Sequence, residues 1–179
     1  MLARLLFNVT AGLPCRRIDR SDGQRYLERY AMPLRLRRLL RRLGLTVYLH
    51  RFVAEDGDDE VHDHPWRLSL AFVLAGEYWE ERVLFISPEY WYAITRRVRW
   101  LNIIRLSTFH KIVRSRPETW TLFICTPRIK RFGFLRIDRH DGHQCLIYHN
   151  PYPVENSVGW ESRAKLGRHT DRAPFQEAA

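Results

Sequence analysis

The sequence has few cysteines, no long apolar run and a shortage of acidic side chains relative to basic ones. Three widely spaced cysteines in 179 residues do not make a disulfide scaffold, so we expect reduced thiols and a cytoplasmic protein. No apolar run approaches the ~20 residues that a membrane-spanning helix needs, and the opening MLARLLFNVT becomes polar too soon for a signal peptide. Because 45% of the residues are apolar and 13% are aromatic, one folded domain is expected instead of a disordered chain.

The shortage of acids is uneven along the chain, whose net charge is +10. Residues 1–50 contain eleven arginines and three acids, whereas residues 51–64 contain six acids and one arginine. This pattern predicts a basic N-terminal arm that is followed by an acidic loop. Such an arm is compatible with a solvated, arginine-rich surface and also with contact to nucleic acid.

Residues 33–44 have the pattern of a short amphipathic helix. Pro33 suits the first turn, and Gly44 suits the position after the last turn. Leucines recur at i, i+3, i+4 and i+7, and therefore share one helical face: Leu36, Leu39, Leu40 and Leu43. Two interpretations remain open. Either the leucines pack on the body with the arginines in water, or the Arg-rich segment 35–42 binds the phosphates of nucleic acid.

From residue 46 onward the hydrophobic period is two, which is typical of β strands. Short runs rich in β-branched and aromatic residues alternate with turn signals, as expected for an all-β sandwich or barrel. Strands are predicted over residues 46–53, 61–64, 68–74, 77–87, 90–97, 98–106, 109–113, 119–126 and 133–137, with weaker candidates at 25–30 and 142–153. We therefore expect a basic arm packed on the barrel (1–45), a barrel (46–153) and a polar, flexible tail (154–179).

Three histidines are the best candidates for chemistry. His62 and His64 are separated by one residue in a predicted strand, so their side chains point to the same face. His110 lies in another predicted strand, and an antiparallel pairing would complete a three-histidine face. Neutral imidazole binds divalent iron, zinc, nickel or manganese, so this pattern predicts a metal site. The alternative is that these histidines cap strand ends or pair with the acidic loop.

The surroundings of these histidines resemble the cupin family. The first cupin motif, G-x5-H-x-H-x3,4-E-x6-G, is matched by His62, His64 and Gly76, with Ser69 in place of its acidic residue. The second cupin motif survives only as His110. The resemblance implies a double-stranded β-helix, which is the jelly-roll barrel of cupins, here with a short N-terminal helix.

Within cupins, the sequence H-D-H followed by eleven residues and a glycine is similar to the thiol dioxygenases. That resemblance implies Fe(II) held by His62, His64 and His110 without a carboxylate ligand. In that family a later strand carries a serine, a histidine and a tyrosine at alternating positions. The strand here offers Thr121, Phe123 and Cys125 instead. This departs from the pattern of a standard cysteine dioxygenase. Imidazole chemistry leaves zinc, nickel and manganese open as alternatives to iron.

A closer resemblance is to small cupin-like proteins of bacteria and their phages that carry an H-D-H-P-W motif. Those proteins show characteristic short segments, and this chain has similar ones at residues 26–30, 48–52, 62–66, 76–80, 120–122 and 131–134. The likeness spans about residues 21–137. It implies the fold, and no settled activity comes with it.

Further residues are expected to line the cavity or to support the metal ligands. Ser69 shares one strand face with Ala71 and Val73, and the resemblance to cupins implies that this face looks into the barrel. His50 is expected to face inward from the preceding strand. Arg105 is a candidate for binding a substrate carboxylate. Asp63 should face away from the metal and orient a neighbouring group. The whole candidate set is His50, Ser69, Tyr78, Glu80, Arg105, Thr121, Phe123 and Cys125.

Three functions fit these observations. The first is an Fe(II)-dependent dioxygenase that acts on a small polar, thiol-like substrate. The second is a non-catalytic cupin that binds a small molecule or a structural metal. The third is a basic accessory protein that contacts nucleic acid through residues 35–42. A small-molecule ligand is the expected partner, with a homodimer as a further expectation, and no membrane is involved.

Overall fold

A computed structural model describes residues 1–20, 22–55, 60–85, 91–140, 143–149 and 159–177. Within these residues, the strands are β1 (Cys15–Asp19), β2 (Arg25–Ala31), β3 (Thr46–Phe52), β4 (Val61–His62), β5 (Leu68–Ala75), β6 (Tyr78–Phe85), β7 (Trp91–Val98), β8 (Leu101–Arg105), β9 (Phe109–Ser115), β10 (Thr119–Cys125), β11 (Phe134–His140) and β12 (His143–His149). The helices are α1 (Leu2–Thr10), α2 (Leu34–Arg42) and α3 (Trp160–Arg163), followed by a 3-10 turn at Gly167–His169. None of the helices in the described ranges combines the length and the apolarity that crossing a bilayer requires.

The strands form two antiparallel sheets with the connectivity of a jelly roll. One sheet has the order β1-β2-β3-β10-β5-β8, and the other has the order β12-β11-β4-β9-β6-β7. The eight strands from β3 to β10 form the jelly roll. If β3 is renumbered as strand 1 and β10 as strand 8, their order is 1-8-3-6 in the first sheet and 2-7-4-5 in the second. Consecutive strands thus alternate between the sheets, apart from the β6–β7 hairpin, as in a double Greek key. The predicted all-β, double-stranded β-helix is confirmed.

Alternating polarity along the strands explains why the two sheets face each other. In β8, Asn102 and Ile104 are buried, whereas Leu101, Ile103 and Arg105 are exposed. Side chains from both sheets meet inside the barrel in one apolar cluster, which contains Leu27, Phe52, Tyr78, Val98 and Ile112. A second cluster around Tyr48, Trp66 and Phe123 fills another part of the interior.

Gly76 connects the two sheets at the β5–β6 turn. Its φ of +71° lies in the left-handed region, where a side chain is strained. A Cβ at this position would also lie 2.8 Å from the Cα atom of Thr119. The Thr119 hydroxyl accepts a hydrogen bond from the Glu77 backbone N–H (3.1 Å) at the same turn. Only glycine fits here, which explains the last glycine of the sequence motif.

The N-terminal arm is part of the barrel wall. The expected boundary at residue 45 falls between β2 and β3, which are neighbours in one sheet. Residues 15–19 were without a predicted element and form β1, which pairs with β2, and β2 pairs with β3. The helix α1 was also not expected. β1 is an edge strand with arginines at two of its five positions, so its sequence lacks the apolar alternation of a central strand.

The helix α2 forms as predicted, but three of the four leucines on its predicted apolar face are exposed. Leu36, Leu39 and Leu43 are 42%, 54% and 67% exposed, and no residue of the helix is fully buried. The helix lies between β2 and β3, and these two strands pair with each other. The strand pairing therefore fixes both ends of the helix, although these leucines are exposed. A hydrogen-bonded ion pair from Arg41 to Glu161 (3.2 Å) adds a tertiary contact.

The described part of the C-terminal segment, residues 159–177, contacts the barrel. Trp160 is buried and stacks on Tyr48, with 5.8 Å between ring centroids. The buried guanidinium of Arg51 donates hydrogen bonds to the carbonyl oxygens of Ala173 (2.7 Å) and Pro174 (2.8 Å). The expected acidic turn at 56–59 and the ends of the predicted strands at 86–90, 142 and 150–153 lie outside the described residues.

Candidate metal centre

The structure brings the three predicted histidines together on one wall of the barrel interior. His62 in β4 is the register partner of His110 in β9, and His64 follows two residues after His62. The candidate ligand nitrogens of the three side chains all lie within 4.8 Å of one another. The Nε2 atoms of His64 and His110 are 2.8 Å apart. This compact arrangement brings three imidazoles within reach of a single metal ion.

Two imidazoles of this triad (His62, His64 and His110) are held in the form that binds metals. Burial, and next the nearby His110, lower the pKa of His62 to about 3. The pKa of His64 lies well below its usual value for the same reasons, burial first. Both rings are therefore neutral at physiological pH, and a neutral ring keeps a nitrogen lone pair for a metal.

Glu80 fixes the orientation and the tautomer of His110. The Nδ1 atom of His110 donates a hydrogen bond to Oε2 of Glu80 (2.9 Å), which leaves Nε2 to face the other histidines. Arg96 donates to the same carboxylate (2.6 Å), as does Asn102 (2.5 Å), and Arg82 is a further partner. Burial raises the pKa of Glu80, but His110 and the two arginines outweigh burial and lower the pKa to about 2.

A cavity of about 440 Å³ opens onto the triad. Of the candidate set, His50, Tyr78, Thr121 and Phe123 line this cavity, whereas Ser69, Glu80, Arg105 and Cys125 do not. Glu80 supports His110 from behind instead. The cavity walls are rich in aromatic residues, and His64 packs against Trp66 and Phe123, with ring centroids 5.5 and 5.7 Å away.

Three residues of the candidate set lie outside the cavity wall for identifiable reasons. Arg105 lies on the outer face of β8, because alternate residues of a strand share a face and Leu101 and Ile103 are exposed on that side. Cys125 is buried beyond Phe123, where its Sγ lies 3.6 Å from the Thr46 carbonyl oxygen and burial raises its pKa to about 12. Ser69 is fully buried next to Cys125 in the register of β5 and β10, beyond the end of the cavity.

Asp63 faces away from the triad, as expected, and holds the loop that closes one side of the cavity. Its Oδ1 accepts a hydrogen bond from the Gly133 N–H (2.9 Å), and its backbone N–H donates to the Gly133 carbonyl (2.9 Å). Lys130 contacts its other carboxylate oxygen. These bonds position Phe132, whose ring lies 5.7 Å from that of His64.

Sequence reasoning missed several arginines at the cavity, and Arg29 is one of them. Arg16, Arg17, Arg29 and Arg131 are among the lining residues. Arg29 belongs to the segment YLERY that was noted as similar to cupin-like proteins. Because that segment was assigned to a separate arm, its strand register with β3 was not expected, and so neither was the inward direction of Arg29.

The donor set fits a divalent transition metal. Three imidazoles, one of them supported by a carboxylate, match iron(II), zinc, nickel or manganese. The Nδ1 atom of His64 is buried without a hydrogen-bond partner among the described residues. This orphaned atom shows that hydrogen bonding within the protein does not by itself satisfy the cluster.

No protein-family model and no curated protein matches the sequence. Among solved structures, vicilin from hazelnut (Corylus avellana) is 14% identical over 56% of this chain and 28% of that chain, with a TM-score of 0.44. Oxalate oxidase in complex with the substrate analogue glycolate is 16% identical over 50% of this chain and 45% of that chain, with a TM-score of 0.37. Fe(II)-HppE with the alternative substrate (S)-1-HPP is 13% identical over 64% of this chain and 55% of that chain, with a TM-score of 0.42. The chain thus spans less than two thirds of each of these proteins, and its fold assignment rests on its own strand order.

Proposed function

We propose that this chain is a metal-binding cupin in which His62, His64 and His110 hold a divalent metal. The observation that carries the proposal is the convergence of three buried imidazoles, with candidate ligand atoms within 4.8 Å of one another, on a cavity of about 440 Å³. The low pKa values of His62 and His64 and the bond from His110 to Glu80 support it, because both favour neutral, oriented ligands.

We further propose an iron(II)-dependent dioxygenase that acts on a small polar, thiol-like substrate. Bound iron would supply oxygen activation at coordination positions that three histidines leave open. The chain's own residues contribute the rest. Glu80 keeps the Nδ1 proton of His110 in place, and Trp66, Phe123 and Phe132 exclude water from the site. Zinc, nickel and manganese are the alternative metals.

Metal analysis tests the ligand assignment. Wild-type protein purified without chelator should contain stoichiometric metal, and His62→Ala should contain much less because a buried ligand is lost. His169→Ala is the matched control, since His169 is exposed in the C-terminal segment. Equal metal contents in the wild type and in His62→Ala would refute the proposed site.

A non-catalytic cupin that binds a small molecule or a structural metal is the alternative. The side chains of Thr121 and Phe123, which line the cavity, do not ionise and so cannot act as an acid or base. Cys125 lies outside the cavity, and burial raises the pKa of its thiol. These observations favour the non-catalytic function. Oxygen uptake by iron-loaded protein with a panel of thiols separates the two proposals. Uptake no faster than that of free iron with every thiol would favour the non-catalytic function.

Contact with nucleic acid is a third proposal, supported by the surface of α2. Arg35, Arg38 and Arg42 are exposed on this helix, which contains no acidic residue. Changing these three to alanine should lower the salt concentration at which the protein elutes from heparin. Unchanged elution would remove this function for α2.

A further inference from the structure

A polar row crosses the inner face of one sheet, opposite the triad. Arg29 in β2 is the register partner of His50 in β3, which in turn is the partner of Thr121 in β10. All three side chains line the cavity. The neighbouring rows on the same face are apolar or aromatic apart from one threonine. They are Leu27, Phe52 and Thr119 on one side, and Ala31, Tyr48 and Phe123 on the other. The Thr119 hydroxyl is bonded to backbone groups of the Gly76 turn, so it is not available to the cavity.

The guanidinium of Arg29 is held by uncharged groups. Its Nε atom donates a hydrogen bond to Nε2 of His50 (3.0 Å), and its Cζ atom lies 5.3 Å from the ring centroid of Tyr48. Burial, and next the Arg29 charge, lower the pKa of His50 well below its usual value, so the ring stays neutral and accepts this bond. Arg51 on the same sheet instead contacts two carboxylates, Glu28 and Glu118.

No described carboxylate contacts Arg29. Its two terminal amino groups donate to no described residue, so a fixed fork of N–H donors remains for another anion. Asp19 is the one acidic residue that lines the described cavity wall, and its carboxylate is 3.5 Å from Arg17. The cavity is therefore positively charged even before a metal binds.

Thr121 provides an independent sign of a ligand. Its side chain is 1% exposed, and its hydroxyl has no hydrogen-bond partner among the described residues. A buried hydroxyl without a partner costs free energy, which a ligand atom would recover. Since Thr121 lies in the polar row with Arg29, both point to the same ligand group.

We propose that Arg29, positioned by His50 and assisted by the Thr121 hydroxyl, binds an oxyanion group of the substrate, such as a carboxylate, across the cavity from the histidine triad. The aromatic walls, which include Trp66 and Phe134, would pack against the apolar part of that substrate. This assignment rests on the proposed function, because it takes the triad as the reacting centre. It makes the substrate a small organic anion.

Calorimetric titration with benzoate tests the assignment, with benzamide as the uncharged analogue and inorganic phosphate as a second anion. Wild-type protein should bind benzoate and not benzamide. Arg29→Gln should weaken benzoate binding at least tenfold, since a charge-assisted bidentate contact is lost. Arg105→Gln removes a strand arginine on the outer face and should bind as the wild type does.

Further variants separate binding from folding. Arg29→Lys keeps the charge without the planar fork, and should fold as the wild type does while binding benzoate more weakly. His50→Gln retains an acceptor for Arg29 and should keep most of the affinity, whereas His50→Leu should lose it. If phosphate binds better than benzoate with the same dependence on Arg29, the oxyanion is a phosphate and the subsite stands.

The metal-poor variant His62→Ala distinguishes this inference from the proposed function. If it still binds benzoate in an Arg29-dependent manner, the anion subsite stands whatever metal analysis shows for the triad. Equal benzoate affinity in the wild type and in folded Arg29→Gln would overturn the inference. So would the absence of benzoate and phosphate binding by the wild type.

Discussion

Glu80 is the residue on which the geometry of His110 depends, although it touches no cavity wall. Its carboxylate accepts the Nδ1–H of His110 and is in turn held by Arg82, Arg96 and Asn102. We expect Glu80→Gln to lower metal affinity by about 10- to 100-fold, because the bond that orients the ligand and raises its basicity is weakened. Competition with a chromogenic chelator measures this.

The neighbouring acid provides the control for that measurement. Glu81 points to the other face of β6, where its carboxylate lies 3.9 Å from Lys111. Glu81→Gln should therefore bind metal as tightly as the wild type. Equal losses in both variants would mean that Glu80 acts through the stability of β6 and has no specific effect on His110.

Local strand alternation predicted much of the site, but cross-strand register was not predictable. The spacing of His62 and His64 placed both on one face, and His110 was expected from a separate strand. The same alternation did not show which face of its strand Arg105 occupies. The strand was predicted over residues 98–106, but its inner face could not be identified from the sequence. Arg29 was missed because its inward direction depends on pairing with His50, a residue 21 positions away.

His50 should make stability depend on pH. Burial and then Arg29 lower the pKa of His50 in the folded protein well below 6.5. Below about pH 6.5 the unfolded chain therefore binds a proton at His50 that the folded protein does not bind. This contribution to stability is complete above about pH 6.5 and decreases as the pH falls towards the folded pKa, by up to about 1.4 kcal/mol per pH unit. In chelator, urea unfolding of His50→Gln should show a shallower loss of stability between about pH 7 and about pH 5 than the wild type. Parallel curves would contradict this expectation.

At the level of elements, α3 anchors the C-terminal segment to the barrel. Trp160 is 7% exposed, stacks on Tyr48 and lines the cavity. Glu161 accepts hydrogen bonds from the hydroxyl of Tyr48 (3.0 Å) and from Arg41 (3.2 Å), so this short helix also ties α2 to β3. These contacts could not be predicted from the polar composition of the segment, because a few buried residues are enough to attach an otherwise polar chain to the barrel.

Trp160→Ala should lower the free energy of unfolding by about 3–5 kcal/mol, because a large buried side chain is replaced by a cavity. Trp100→Ala is the matched control. Trp100 is 78% exposed, so its removal should change stability by no more than about 0.5 kcal/mol. Urea unfolding followed by circular dichroism measures both variants. A similar small effect in both would show that the C-terminal segment is loosely held after all.

At the scale of the whole molecule, the barrel strands were predictable and the contribution of the termini was not. The central strands alternate clearly because one face is buried and the other is not, as in β8. β1 and β2 carry arginines and glutamates on inward or half-buried positions, and these residues are accommodated only by partners far along the chain. Glu28, for example, is fully buried and pairs with Arg51.

The arm and the barrel should therefore unfold as one cooperative unit, and deletion of residues 1–45 should abolish folding. The deletion removes β2, whose residues pair with β3 at five positions, and leaves Arg51 without its contact to Glu28. An incompletely paired buried charge alone costs about 3–5 kcal/mol, a large part of the roughly 5–15 kcal/mol that stabilises a domain. The fragment 46–179 should give neither a cooperative melting transition nor dispersed amide NMR signals, whereas the full chain gives both. A fragment that melts cooperatively near the full chain would show that residues 1–45 are a separate appendage, and Arg29 would then lie outside the folded core that holds the triad.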